Sequence, residues 1–197
     1  MYRYILCIVI CAVIWLINGR WLSESIKEHV TSEIYTHIGL GAFLTLLVLE
    51  LTIGMHGAWS HFNVKWLEII GWILYAPAAF LVFGAIATLQ HKGKPTGELT
   101  ESTAIITTGI YGVIRQPMTL GMAIWSIALI LVFQSILSII LCVPLAICFW
   151  LAARKDAANN IKKFEADYEE YMNKVPMWNV FKGLRKLKWK SRNFIYQ

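Results

Sequence analysis

The sequence predicts an all-α integral membrane protein, with about five transmembrane helices and a C-terminal amphipathic cytoplasmic helix in one membrane domain, residues 1–197. Three observations predict it. Hydrophobic residues make up 57% of the chain and charged residues 15%, against about 45–50% and about 25% in soluble domains. Several runs approach the roughly 20 apolar residues that carry a helix across a bilayer. Nine Trp and eight Tyr suit the two membrane–water interfaces, where such amphipathic rings collect.

The first span is expected over residues 4–17, extending toward Trp21. The sequence that follows, Asn18-Gly19-Arg20-Trp21, lacks the small-residue pattern of a signal-peptide cleavage site, so this helix is read as retained. The second span covers about 35–53 and carries one acid, Glu50. The third covers 66–89 with Pro77 inside, a kink position. A polar stretch, 90–116, precedes the fourth span at 118–133. Only Gln134 and Ser135 separate it from the fifth, 136–153, so these two form a tight antiparallel hairpin.

Beyond Arg154 the periodicity changes. Ala157, Ile161, Phe164, Tyr168, Tyr171 and Val175 recur at intervals of three and four, one stripe of an amphipathic helix over about 155–174. Val175-Pro176 ends it, since the residue before a proline is pushed out of helical geometry. A basic tail, 177–197, follows.

Charge sets the orientation. Nine of the 18 Lys and Arg fall in the last 36 residues. With five spans, one side holds only Arg3 and Lys65, and the other holds the remaining 16. The positive-inside rule puts the N-terminus outside and the C-terminus in the cytoplasm. A basic tail on such a chain points to anionic membrane lipids, not to nucleic acid. The four cysteines, Cys7, Cys11, Cys142 and Cys148, all lie in spans and form no C-x-x-C pattern, so they indicate neither a disulfide scaffold nor a metal site.

Chemistry concentrates around Arg115. Pro117 stands where a helix N1 proline belongs and drives Gln116 out of helical geometry. Arg115 is thereby held on an extended turn at a helix mouth, beside free N–H groups and a positive dipole end. Such a place either receives a carboxylate or phosphate or simply anchors the helix at the interface. Elsewhere, Glu50 is the one acid deep in a span, a residue kept there for function or as a hydrogen-bonded structural group. His56 and His61 flank the same helix end, but a third metal ligand is lacking. His37 is 13 residues from Glu50 and does not pair with it. Glu165, Asp167, Glu169 and Glu170 face Lys162, Lys163 and Lys174 as a solvated helix surface.

The run GIYGVIRQPMTLG, residues 109–121, resembles the signature G-x-Y-x-x-x-R-H-P-x-Y-x-G of the isoprenylcysteine carboxyl methyltransferase and phospholipid methyltransferase family. The later run, Asp156-Ala157 through Asn160, Phe164-Glu165, Tyr168 and Tyr171 to Val175-Pro176, resembles that family's second motif. That motif reads E-E-x-x-L-x-x-x-F-G-x-x-Y-x-x-Y, then V-P. The likeness covers about half the chain. It implies S-adenosylmethionine bound at the cytoplasmic face and a lipophilic acceptor entering from the bilayer. It also implies that Arg115 holds an anionic group with Asp156 as acidic partner, while Tyr111, Gln116, Pro117, Gly121 and Tyr168 shape the cofactor pocket.

The departures are specific. Gln116 replaces the signature His and cannot carry a proton. Thr119 replaces a Tyr, Asp156-Ala157 replaces the glutamate pair, Asn160 replaces a Leu, and Glu165 replaces a Gly. Two functions are consistent with this pattern: a membrane methyltransferase for a small lipophilic or lipid-like acceptor, or an inactive relative serving as a lipid-binding or accessory subunit of a membrane complex.

Overall fold

The computed structural model describes residues 1–92 and 104–186. Five helices account for most of them: α1 (Tyr2–Lys27), α2 (Thr31–Thr52), α3 (Lys65–Lys92), α4 (Pro117–Phe133) and α5 (Ile136–Lys174). Four are long and apolar enough to cross a membrane, and α4 is a shorter apolar helix of 17 residues. The chain is therefore an all-α integral membrane protein.

Neighbour relations follow the order α1–α2–α5–α4–α3. The core lies where α2, α3, α4 and α5 meet and is built on Phe43, Leu46, Val82, Met122, Leu129 and Phe149. Trp125 joins it through its ring, stacked on Phe43 and edge-on to Phe83. Outside this core the helices show Ile, Leu, Val and Phe to the surroundings, as lipid-facing surfaces do. Close helix contact comes from small residues. A Cβ on Gly121 of α4 would meet the Ala78 carbonyl oxygen of α3 at 2.9 Å and the Val82 side chain at 2.7 Å.

Helix α1 runs well past the expected 4–17. The reason is visible at Asn18, which is buried where α1 crosses α2. Its Nδ2 donates to the His37 carbonyl at 2.7 Å, and its Oδ1 lies 3.1 Å from His37 Nδ1. A polar residue whose groups are all satisfied by a neighbouring helix does not end its own.

The expected amphipathic helix is likewise not a separate element. Nothing between Ala153 and Asp156 breaks a helix, so α5 crosses the bilayer and runs on to Lys174. One break lies within it, at Glu165, where φ is 47° and ψ is −126°. The stripe Ala157, Tyr168, Tyr171 and Val175, with Ile161 and Phe164 against it, forms a second, smaller core beyond the membrane span.

Glu50 has become a fastening point at the far end of the bundle. It is fully buried. Its carboxylate accepts from Trp59 Nε1 at 3.1 Å and from the Ser135 hydroxyl, and lies 3.2 Å from His61 Nε2. Ser135 also caps α5 in a reciprocal capping box with Ser138. Gln134, at the left-handed end of α4, bonds both backbone groups of Val64. These contacts tie the α2–α3 loop to the α4–α5 turn. Among the described residues no group of three or more His, Cys, Asp or Glu could hold a metal.

Candidate functional site

The site is assembled at the opposite end from Glu50. A short 3-10 turn, Gly109–Gly112, leads to Arg115, and α4 begins at Pro117 in the N1 position with Gln116 as its non-helical N-cap. The extended stretch after α5 lies beside this turn. The backbone N–H of Arg115 donates to the Pro176 carbonyl at 3.0 Å, and that of Gln116 donates to Met177 at 3.3 Å. Arg115 Nε donates to the Val175 carbonyl at 2.8 Å. From α5, the Tyr171 hydroxyl donates to the Tyr111 carbonyl at 2.6 Å. Trp178 Nε1 donates to Thr119 Oγ1 at 3.3 Å. The two motifs, 40 to 60 residues apart in the chain, thus form one structure.

Within it, Asp156 does not pair with Arg115, contrary to the expectation from the family pattern. Asp156 Oδ2 accepts from Gln116 Nε2 and, at 2.8 Å, from Asn160 Nδ2. Two amides replace a guanidinium because the shorter Asp side chain sits one helical turn from Asn160 and faces the α4 N-cap. Burial pushes the Asp156 carboxyl above its ordinary range. The hydrogen bonds from Gln116 and Asn160 and the charge of Lys163 oppose that shift.

Arg115 faces elsewhere. Its Nη1 is buried and has no hydrogen-bond partner among the described residues, an uncommon condition for a guanidinium nitrogen. The Tyr168 hydroxyl is near it. Burial pushes that hydroxyl upward in pKa and the Asp156 charge adds to the shift, while Arg115 and Asn160 oppose it. Tyr111 and Tyr171 are raised as well, chiefly by burial. The tyrosines of this site are thus neutral hydrogen-bonding groups at physiological pH. Tyr168 and Tyr171 pack edge to face, with centroids 5.6 Å apart.

Arg115, Gln116, Asp156, Tyr111 and Tyr168 lie together in the structure. Pro117 is buried beneath them. Gly121 stands apart, closed off by α3 as described above. Asn160 and the carbonyls of Val175, Pro176 and Met177 are structural members that the sequence reading missed. Only the i,i+4 spacing of Asp156 and Asn160 could have signalled the first. Backbone acceptors leave no mark in a sequence.

Residues 66–156 match the phospholipid methyltransferase family. The chain is also similar to a protein-S-isoprenylcysteine O-methyltransferase of Xenopus laevis, 25% identical over 171 residues, a match that takes in 75% of this chain. It spans 57% of that relative's length. No solved structure matches the chain. The family match takes in α3, the Arg115 turn, α4 and α5 as far as Asp156. The two comparisons and the paired motifs agree in a likeness to the isoprenylcysteine carboxyl methyltransferase and phospholipid methyltransferase family.

Proposed function

We propose that the protein is an S-adenosylmethionine-dependent methyltransferase whose acceptor is a small lipophilic or lipid-like molecule. One observation carries the reading: Arg115 Nη1 is a buried donor with no partner among the described residues, while Arg115 Nε and the Gln116 amide beside it are bonded. A carboxylate such as that of S-adenosylmethionine is the partner its chemistry asks for, because a guanidinium edge binds carboxylates well. The residues present therefore fit the cofactor.

When bound, S-adenosylmethionine supplies an electrophilic methyl group on its sulfonium. The chain's part is placement. Arg115 holds the anionic end, and its own direction is fixed by the Val175 carbonyl. Buried Tyr168 and half-buried Tyr111 supply neutral walls. Asp156 acts as a positioning residue, holding the Gln116 amide in one orientation. Gln116 cannot move a proton, so rate enhancement comes from proximity and alignment in a desolvated pocket. The positive-inside bias sets this end of the bundle in the cytoplasm, with the N-terminus outside.

A second reading draws on the same geometry. Gln116 and Asp156 satisfy each other, and the site has no charged group in place of the signature His. This favours a lipid-binding or accessory subunit of a membrane protein complex that keeps the fold without the reaction. Methyl-labelled S-adenosylmethionine, incubated with the detergent-solubilised protein and a membrane lipid extract, separates the two. Label in the organic phase that is lost in Arg115→Ala supports the enzyme. Label absent from that phase supports the accessory role.

A further inference from the structure

After Pro176 the chain turns back toward the bilayer. Trp178 packs against the main core and lines an apolar groove of about 310 Å³ beside α4 and α5, together with Ile130, Cys142, Val143 and Trp150. It is thus set among the side chains of two membrane helices. Asn179 follows, its side chain accepting from the Lys182 N–H at 2.9 Å as a helix N-cap. Residues 180–186 are helical.

This short helix has three distinct faces. Gly183 presses on the motif turn, where a Cβ at that position would come within 2.0 Å of the Val113 carbonyl oxygen. Pointing away from that contact is Phe181, 84% exposed, with Leu184, 47% exposed, beside it. Around the remaining surface lie Lys182, Arg185 and Lys186, all exposed. Lys186 donates to the Asn173 carbonyl at 2.9 Å. None of the three forms an ion pair among the described residues, although α5 carries an acidic run nearby. An exposed phenyl ring beside unneutralised cations, two residues beyond a tryptophan seated among membrane helices, matches the interfacial pattern of apolar contact plus anionic headgroup attraction.

We propose that residues 180–186 dock on the bilayer surface and bind anionic lipid headgroups through Lys182 and Arg185, with Phe181 and Leu184 inserted between the lipids. The docked helix bears on the Arg115 turn. Gly183 abuts Val113, two residues before Arg115, and Pro176 and Met177 are bonded to the backbone of Arg115 and Gln116. Anionic lipid at this surface therefore steadies the turn from outside the site. The binding claim does not depend on the methyltransferase reading.

Amide hydrogen exchange of residues 180–186 tests it, with the full chain in nanodiscs of pure phosphatidylcholine or of phosphatidylcholine with phosphatidylserine. Exchange at least about tenfold slower is expected with the anionic lipid. The Lys182→Glu/Arg185→Glu variant is expected to exchange alike in both lipids, and Phe181→Ser to exchange faster in both. Equal exchange of the wild-type segment in the two lipids would overturn the proposal. So would a lipid-dependent difference that survives the charge reversal, or protection by an added oligonucleotide in neutral discs that anionic lipid does not provide.

Discussion

The side-chain amide of Gln116 donates to the Asp156 carboxylate, joining the N-cap of α4 to α5 just past its membrane span. Asn160 donates to the same oxygen. An ion pair expected from the family pattern is replaced by an acid held between two amides. The replacement has a consequence for pH. Burial raises the Asp156 pKa above its unfolded value near 4, so the folded state binds the proton more tightly. Stability contributed by this group is greatest at low pH and falls as pH rises from about 4 through the folded pKa. Thermal unfolding of wild type and Asp156→Asn in detergent, from pH 4 to pH 7, is expected to show wild type losing ground to the variant as pH rises. A difference between the two that stays constant with pH would contradict this.

Glu165 sits at φ 47° and ψ −126°, a region suited to glycine. The family motif has glycine at this position, and the backbone here keeps the glycine shape with a glutamate in it. Glu165→Gly is therefore expected to stabilise the protein by about 1 kcal/mol, or roughly 2–4 °C in Tm for a chain of this size. Glu165→Val, β-branched, is expected to lower it. A Glu165→Gly variant that melts below wild type would show that the break is not strained.

Much of the fold could be read from the sequence because lipid leaves few options. Apolar runs reveal the helical membrane character, and Gln134-Ser135 falls at the turn between α4 and α5. Helix α1 was cut short because Asn18 looks like a terminus until His37 of the next helix is seen to satisfy it. The amphipathic stripe from Ala157 to Val175 correctly indicated an apolar face, but periodicity cannot tell a new helix from the continuation of an old one. Around the site, the motifs named Arg115, Gln116 and Asp156. They gave the wrong pairing, since which acid meets which donor depends on side-chain length and on the facing helix. The carbonyls of Val175, Pro176 and Met177 hold Arg115 and Gln116 by backbone geometry that no residue identity encodes.

At the other end of the bundle, Glu50 accepts from Trp59 and Ser135 and faces His61. Glu50→Ala leaves buried Ser135 and half-buried Trp59 without their acceptor and is expected to cost roughly 3 kcal/mol. Glu50→Gln keeps one acceptor oxygen and is expected to cost less. Because the Arg115 turn is at the opposite end, neither change should alter cofactor affinity in the protein that remains folded. Thermal melts beside ligand titrations check both halves. Weakened binding by a folded Glu50→Gln variant would mean that the two ends are coupled.

Arg115 is half-buried, and its guanidinium Nη1 is buried with no hydrogen-bond partner among the described residues. Isothermal titration of the detergent-solubilised protein with S-adenosylmethionine tests its role in holding the cofactor most directly. Saturable binding is expected, weakened about a hundredfold in Arg115→Ala by the loss of a charged hydrogen bond at a buried atom. Binding undetectable in the folded wild type at about 1 mM ligand, or equal affinity in wild type and Arg115→Ala, would contradict it.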